Sequence, residues 1–333
     1  MSILNTEINV NKLTLKNRIV LPPMATSKAG DDGEVTLQVC DYYAEKSEGG
    51  YLGLIISEHC YISQDGKAEK NQISIARDED VEGLKKITQL VHSNGCPIFA
   101  QISHAGGAAK KEFTGHKALR VSTVKPGHEI ELDDETKEMT KDDIKQVVAD
   151  FASAAARAKE AGFDGVEIHS AHGYLLNQFY SPVTNQRSDE YGPQNLNSRI
   201  RIHLEVIEAI RAAVGADFPV ALRLGVWDYT KGGINIEDAA EASVCFEQAG
   251  VDMIDISSGL HEKEHPTRKE EGYFSEVTEA VKEKVSVPVV LSGGIREAKT
   301  AERFLEEGKA DLIGVGHAIL NDSAWAKNAL ASV

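Results

Sequence analysis

Eight short apolar runs rich in Val and Ile recur along the chain. They are "RIVLPPM" (18–24), "GLIISEH" (53–59), "PIFAQIS" (97–103), "GVEIHS" (165–170), "PVALRLG" (219–225), "DMIDISSG" (252–259), "VPVVLSGG" (287–294) and "DLIGVG" (311–316). Each is continuous rather than alternating, the pattern of strands covered on both faces. Helix-patterned segments lie between them. "KDDIKQVVADFASAAARAKEAG" follows a capping Thr140, carries acids in its first turn and stops at Gly162. "IEDAAEASVCFEQAG" and "AKTAERFLEEG" also close on glycine, as helix C-termini often do. Eight β/α units in 333 residues predict one α/β domain, a (β/α)8 TIM barrel over 1–333. A doubly wound open sheet would want a glycine fingerprint after its first strand, and "PPMATSKAG" is not one. The largest excursion, 105–139, follows the third strand and is expected to edge the barrel mouth as a solvated loop or lid.

In such a barrel the C-terminal ends of the strands converge on one mouth, where active sites sit. Collected there are Pro23, Met24 and Ala25 from the first strand, Glu58 and His59 from the second, and Gln101 and His104 from the third. The fourth brings His169, His172 and Tyr174, the fifth Arg223, the sixth Ser257, Ser258 and Gly259, the seventh Gly293 and Gly294, and the eighth Gly316 and His317. Glycines after strands seven and eight let backbone N–H groups approach an anion, so this side reads as a phosphate site. Opposite it, Gln101, Arg223 and the histidines suit a heterocycle with many hydrogen-bonding edges, such as a flavin, with Arg223 stabilising negative charge on it. Arg223 has an alternative role in a barrel-floor ion pair with Glu167 or Asp255.

Composition narrows the partners. Formal charge is −16, from 36 basic against 52 acidic side chains, which argues against nucleic acid and anionic membrane surfaces. Four scattered cysteines form no C-x-x-C pair and fit a reducing, cytoplasmic setting. The N-terminus has no basic region followed by an apolar one, and no apolar run reaches membrane-spanning length, so no signal peptide or transmembrane helix is expected. His92, His116, His128 and His203 read as solvated, and His261 with His265 as a solvated loop after the sixth strand, with the rim of the substrate entrance as the alternative.

The block "EIHSAHGYLLNQFYSPVTNQRSDEYGP…NSR", together with "LTLKNRIVLPPM", "QISHAG" and "ADLIGVG", resembles the old yellow enzyme family, the NADH:flavin oxidoreductases or FMN-dependent ene-reductases, in its short single-domain bacterial form. The resemblance covers nearly the whole chain. It implies FMN as cofactor, NADH or NADPH as reductant and an enone or enal as substrate, and is compatible with a homo-oligomer. It implies that His169 and His172 donate to the substrate carbonyl and that Tyr174 protonates its α-carbon. Gln101 and Arg223 would hold the flavin's pyrimidine edge, Pro23, Met24 and Ala25 would line its other side, and Gly294, Gly316 and His317 would take the phosphate, with His59, Ser258, Gly259 and Gly293 as further cofactor-binding residues.

Departures from the family pattern stand at three positions. Ala25 sits where members often carry Cys or Thr, Ser27 where many short members carry Tyr, and His317 where a phosphate-binding Arg is usual. His317 shifts the phosphate grip toward backbone donors. The chain stops at Val333, so the C-terminal extension by which some relatives place an arginine in a neighbour's site is expected to be absent. Two other classes compete. A metal-dependent barrel hydrolase would use Glu167, His169 and His172, although a third ligand is not evident. A non-catalytic flavin-binding barrel would rest on Ala25 alone.

Overall fold

The computed structural model describes residues 2–122, 124–125, 128–129, 135–260 and 267–333. Its centre is a ring of eight parallel strands: β1 (Ile19–Leu21), β2 (Leu54–Ile56), β3 (Ile98–Ser103), β4 (Gly165–Ser170), β5 (Val220–Gly225), β6 (Met253–Ser257), β7 (Val289–Leu291) and β8 (Leu312–Gly314). Neighbours in sequence are neighbours in space, and β8 pairs back onto β1 through Ile313–Ile19 and Gly314–Val20, which closes the barrel. All eight apolar runs are barrel strands, because strands that face side chains within and helices without present no solvated side.

A helix follows each strand: α1 (Leu37–Ser47), α2 (Asp80–Ser93), α3 (Lys141–Glu160), α4 (Arg201–Val214), α5 (Ile236–Ala249), α6 (Ser275–Lys282), α7 (Ala298–Glu306) and α8 (Trp325–Ser332). The Thr140 side chain accepts from Asp143 N while the Asp143 side chain accepts from Thr140 N, a reciprocal cap that starts α3. Outward strand residues and the inner helix faces make one large apolar core.

The bottom of the barrel is sealed. A hairpin of Ile8–Val10 and Leu13–Leu15 packs Val10 and Leu15 against Val20, Leu54, Ile56, Phe99, Ala221, Met253, Val290 and Leu312. With that end filled by apolar side chains, the inward polar residues lie toward the other end.

In the 105–139 excursion, Ala118–Arg120 pairs in parallel with Thr136–Glu138. The polar run after Tyr174 fastens it. Arg187 Nη1 donates to Val121 O at 2.9 Å and Met139 O at 2.7 Å, and the same guanidinium pairs with Asp189 at 2.6 Å. Buried Asn185 donates to Phe179 O and Tyr191 O, at 2.8 and 2.7 Å. The "NQRSDEYG" segment is therefore a clamp that uses its polar atoms inward, which is why so polar a run follows a buried strand. Among the described residues no helix is long and apolar enough to cross a membrane.

Candidate active site

A cavity of about 830 Å3 opens at the C-terminal ends of the strands. Pro23, Met24, Ala25, His59, Gln101, His169, His172, Tyr174, Arg223, Gly293, Gly294, Gly316 and His317 all line it. Ser258 and Gly259 do not. Ser258 O accepts from His172 N at 3.2 Å and Gly259 N donates to Trp227 O at 3.0 Å, so both serve the loop backbone. The lining serine of this strand end is Ser257. No described residue of 105–139 lines the cavity.

Gln101 and Arg223 reach the cavity from its floor. Gln101 Nε2 donates to Glu167 Oε1 at 2.8 Å, across the β3–β4 register. Arg223 Nε lies 3.2 Å from Asp255 Oδ2, across β5–β6, so Arg223 takes both roles considered for it: it lines the mouth and belongs to a floor ion pair. The pair is close but not aligned for a hydrogen bond, and neither atom has such a partner among the described residues.

Three imidazoles and a phenol share one wall. The rings of His169 and His172 stand edge to face, with centroids 5.1 Å apart, and Tyr174 is tilted over His169 at 4.9 Å and over His59 at 5.6 Å. Hydrogen bonds assign their tautomers. Ala171 N donates to His169 Nδ1 at 3.2 Å, so the neutral ring carries its proton on Nε2. Gln72 Oε1 accepts from Ala68 N, which identifies its other atom as the amide nitrogen that donates to His59 Nδ1 at 2.9 Å. His59 is thus also an Nε2–H imidazole. His172 Nε2 meets Ser257 Oγ at 2.7 Å, and its backbone is held at φ +58°. Burial, then the charge of Glu69, raises the Tyr174 phenol above its usual range, so the hydroxyl keeps its proton at neutral pH.

At the opposite end, Gly293 and Gly294 adopt φ of +119° and +69°, where a side chain would be strained. A Cβ on either would stand 3.1 Å from the Tyr273 ring, and one on Gly316 would stand 3.0 Å from Met24 Sδ. All three glycines line the cavity, so backbone rather than side chain forms its wall here. Beside Ala25, buried Glu58 accepts from Thr26 N at 3.0 Å and Thr26 Oγ at 2.8 Å and pins the loop after β1. Burial pushes this carboxyl up to about 7.

Several lining residues escaped the sequence reading: Glu69, Lys269, Tyr273 and Arg296 come from loops, where no periodicity flags them. Arg296 follows the glycine pair by two residues and supplies a cation at the end where His317 stands. Its only sequence signal is "GGIR" itself. His203 is corrected outright. It is fully buried in α4, with Nε2 2.8 Å from Ser170 Oγ and its ring stacked on Phe246, because helical spacing places it beside Ile202, Val206 and Ile210 on the inner face. Burial lowers it to about 3. His261, His265 and the side chain of His128 lie outside the described residues. The metal alternative gains nothing: among the described residues no three His, Cys, Asp or Glu side chains converge as a metal site, and Glu167 is engaged by Gln101.

Fold and cavity together define a TIM barrel with one large, polar-floored cavity at its mouth. The model of the NADH:flavin oxidoreductase / NADH oxidase family matches residues 4–332, and the chain belongs to that family. It is 37% identical over 329 residues to an NADH oxidase of Thermoanaerobacter brockii, covering 97% of this chain and 50% of that protein, so it spans about half the length of this relative. It is 35% identical to an NADPH dehydrogenase of Bacillus subtilis, covering 97% of this chain and 93% of the relative. The structure of an old yellow enzyme homologue from Zymomonas mobilis superposes with a TM-score of 0.83 at 28% identity, covering 99% of this chain and 93% of that one. The residues present fit the FMN of this family: a floor with an arginine Nε lacking a hydrogen-bond partner and an amide, and a far end with exposed glycine backbone and Arg296.

Proposed function

We propose that the protein is an FMN-dependent NAD(P)H oxidoreductase that reduces the activated C=C bond of α,β-unsaturated carbonyl compounds by a ping-pong route. The reading rests on one observation above all: the His169–His172 pair and the Tyr174 ring face the same cavity as Gln101 and Arg223. When bound, FMN would supply the hydride chemistry that links NAD(P)H oxidation to reduction of the substrate's β-carbon. Gln101 and Arg223 would hold its polar ring edge, and Gly293, Gly294, Gly316, His317 and Arg296 would take its phosphate.

His169, fixed as an Nε2–H donor by Ala171 N, grips the substrate carbonyl oxygen. His172 does the same in the tautomer with its proton on Nδ1, which a donating Ser257 hydroxyl selects. Neutral donors suit this work, because their hydrogen bonds strengthen as negative charge grows on the oxygen while no imidazolium is needed at neutral pH. Tyr174 holds a proton on its hydroxyl and supplies it to the α-carbon as charge leaves the enolate. The tyrosinate left behind is strongly basic and is reprotonated by water. FMN rather than FAD suits a cavity whose described lining offers a single glycine-backbone phosphate end.

Mass spectrometry of the released cofactor, followed by anaerobic titration of the yellow protein, tests the reading. NADH or NADPH should bleach the visible band and an enone such as cyclohexenone should restore it. A colourless preparation, FAD, or a bleached protein that no enone reoxidises contradicts it.

A further inference from the structure

Beneath the cavity, three adjacent strands place two carboxyl groups around one arginine. Glu167 on β4 and Asp255 on β6 are fully buried, and Arg223 on β5 lies between them, 8% exposed. Asp255 faces Arg223 at 3.2 Å, and its Oδ1 has a long contact from Ser292 Oγ, the residue after β7, at 3.5 Å. Among the described residues the hydrogen-bond partner of Glu167 is a neutral amide, Gln101 Nε2 at 2.8 Å. Glu167 Oε2 has no hydrogen-bond partner among the described residues. His169, in register with Arg223, is the next polar side chain above.

Two carboxylates against one guanidinium would leave an uncompensated negative charge out of water, and buried groups avoid this by neutralising. Asp255 has the cation at ion-pair distance, so Glu167 is the group to neutralise. In keeping with this, burial and then the charge of Asp255 push Glu167 well above the usual carboxylate range, against the opposing pull of Arg223.

We propose that Glu167 is carried as a neutral carboxylic acid at neutral pH and is the positioning residue that aims the Gln101 amide and leaves the floor with no net charge. With one N–H of Gln101 committed to Glu167, the amide oxygen and the second N–H remain for the cavity that Gln101 lines. With Glu167 protonated, Arg223 and Asp255 balance. An ionised Glu167 would instead place a net negative charge under a cofactor that becomes more electron-rich on reduction. This role rests on the FMN reading, but the proton on Glu167 does not, so the two can fail separately.

Infrared spectroscopy of the holoenzyme in H2O and D2O reads the proton directly. At about pH 8, where exposed carboxyls are ionised, a protonated-carboxyl C=O band should persist, shift in D2O and shift with 13C-labelled glutamate but not with 13C-labelled aspartate. It should be missing in Glu167→Gln and retained in Glu58→Gln. No band in the wild type, or one that follows the aspartate label or survives Glu167→Gln, overturns the proposal, and the labelling arm requires no variant to fold. Separately, Glu167→Gln mimics the neutral acid and should keep the ratio of reduced to oxidised FMN affinity within about twofold, whereas removing a real charge would favour reduced FMN by ~10-fold or more. That larger shift would also overturn it.

Discussion

His172 Nε2 lies 2.7 Å from the Ser257 hydroxyl, a bond that ties the loop after β4 to the end of β6. His172 sits at φ +58°, an uncommon conformation for a residue with a Cβ, so the bond holds a ring whose backbone is already strained. Ser257→Ala removes the tie without touching His169 or Tyr174. Enone-dependent turnover should fall by roughly tenfold to a hundredfold, the cost of a misplaced reacting group, and phenolic ligands should bind more weakly. FMN stoichiometry should stay at one. Unchanged ligand binding in steady-state and difference-spectral titrations would mean that Ser257 does not orient His172.

Buried His203 makes the protein sensitive to acid. Its folded value, about 3, lies below the usual 6.5, so the unfolded chain binds the proton first. Its contribution to stability is complete above about pH 6.5 and is lost as pH falls toward 3. Between pH 7.5 and 5 this amounts to about 2 kcal/mol. His203→Gln keeps a polar partner for Ser170 Oγ but cannot titrate, so its urea-unfolding free energy should lose about 2 kcal/mol less over the same interval. Parallel losses in both proteins would contradict the assignment.

Glu58 acts in the opposite sense. Burial raises it from 4.5 to about 7, so the folded state holds the proton longer than the unfolded chain. The associated stability is fully present below about pH 4.5 and is lost as pH rises through 7. Glu58→Gln should therefore gain about 2–3 kcal/mol relative to wild type between pH 5 and 8. A pH-independent difference in chemical denaturation would show that Glu58 is already ionised at pH 5.

What the sequence disclosed, and what it hid, follows from periodicity. The eight strands were legible because a parallel strand buried on both faces is apolar throughout, and most mouth residues followed from the barrel's geometry, whereas Glu58 and His104 are buried behind the cavity wall and do not line it. The pleat decides Ser257 over Ser258: Asp255 faces the floor, so the residue two further along shares its face, and Ser258 and Gly259 turn into the loop. His203 looked solvated only while its helical neighbours Val206 and Ile210 were left out of account. Lys269, Tyr273 and Arg296 lie on loops, where position depends on tertiary packing that no local pattern encodes.

The central claim is that Tyr174 supplies the proton in enone reduction, and stopped-flow measurement of both half-reactions in Tyr174→Phe tests it most directly. The variant keeps the ring that packs over His169 and His59 and loses only the hydroxyl. Reduction of the bound flavin by NAD(P)H needs no proton from a phenol and should be nearly unchanged. Reoxidation by an enone should slow by the ~10²–10⁴ expected of a lost general acid, while reoxidation by oxygen persists. Equal slowing of flavin reduction and enone reoxidation, or no slowing of either, would contradict the assignment.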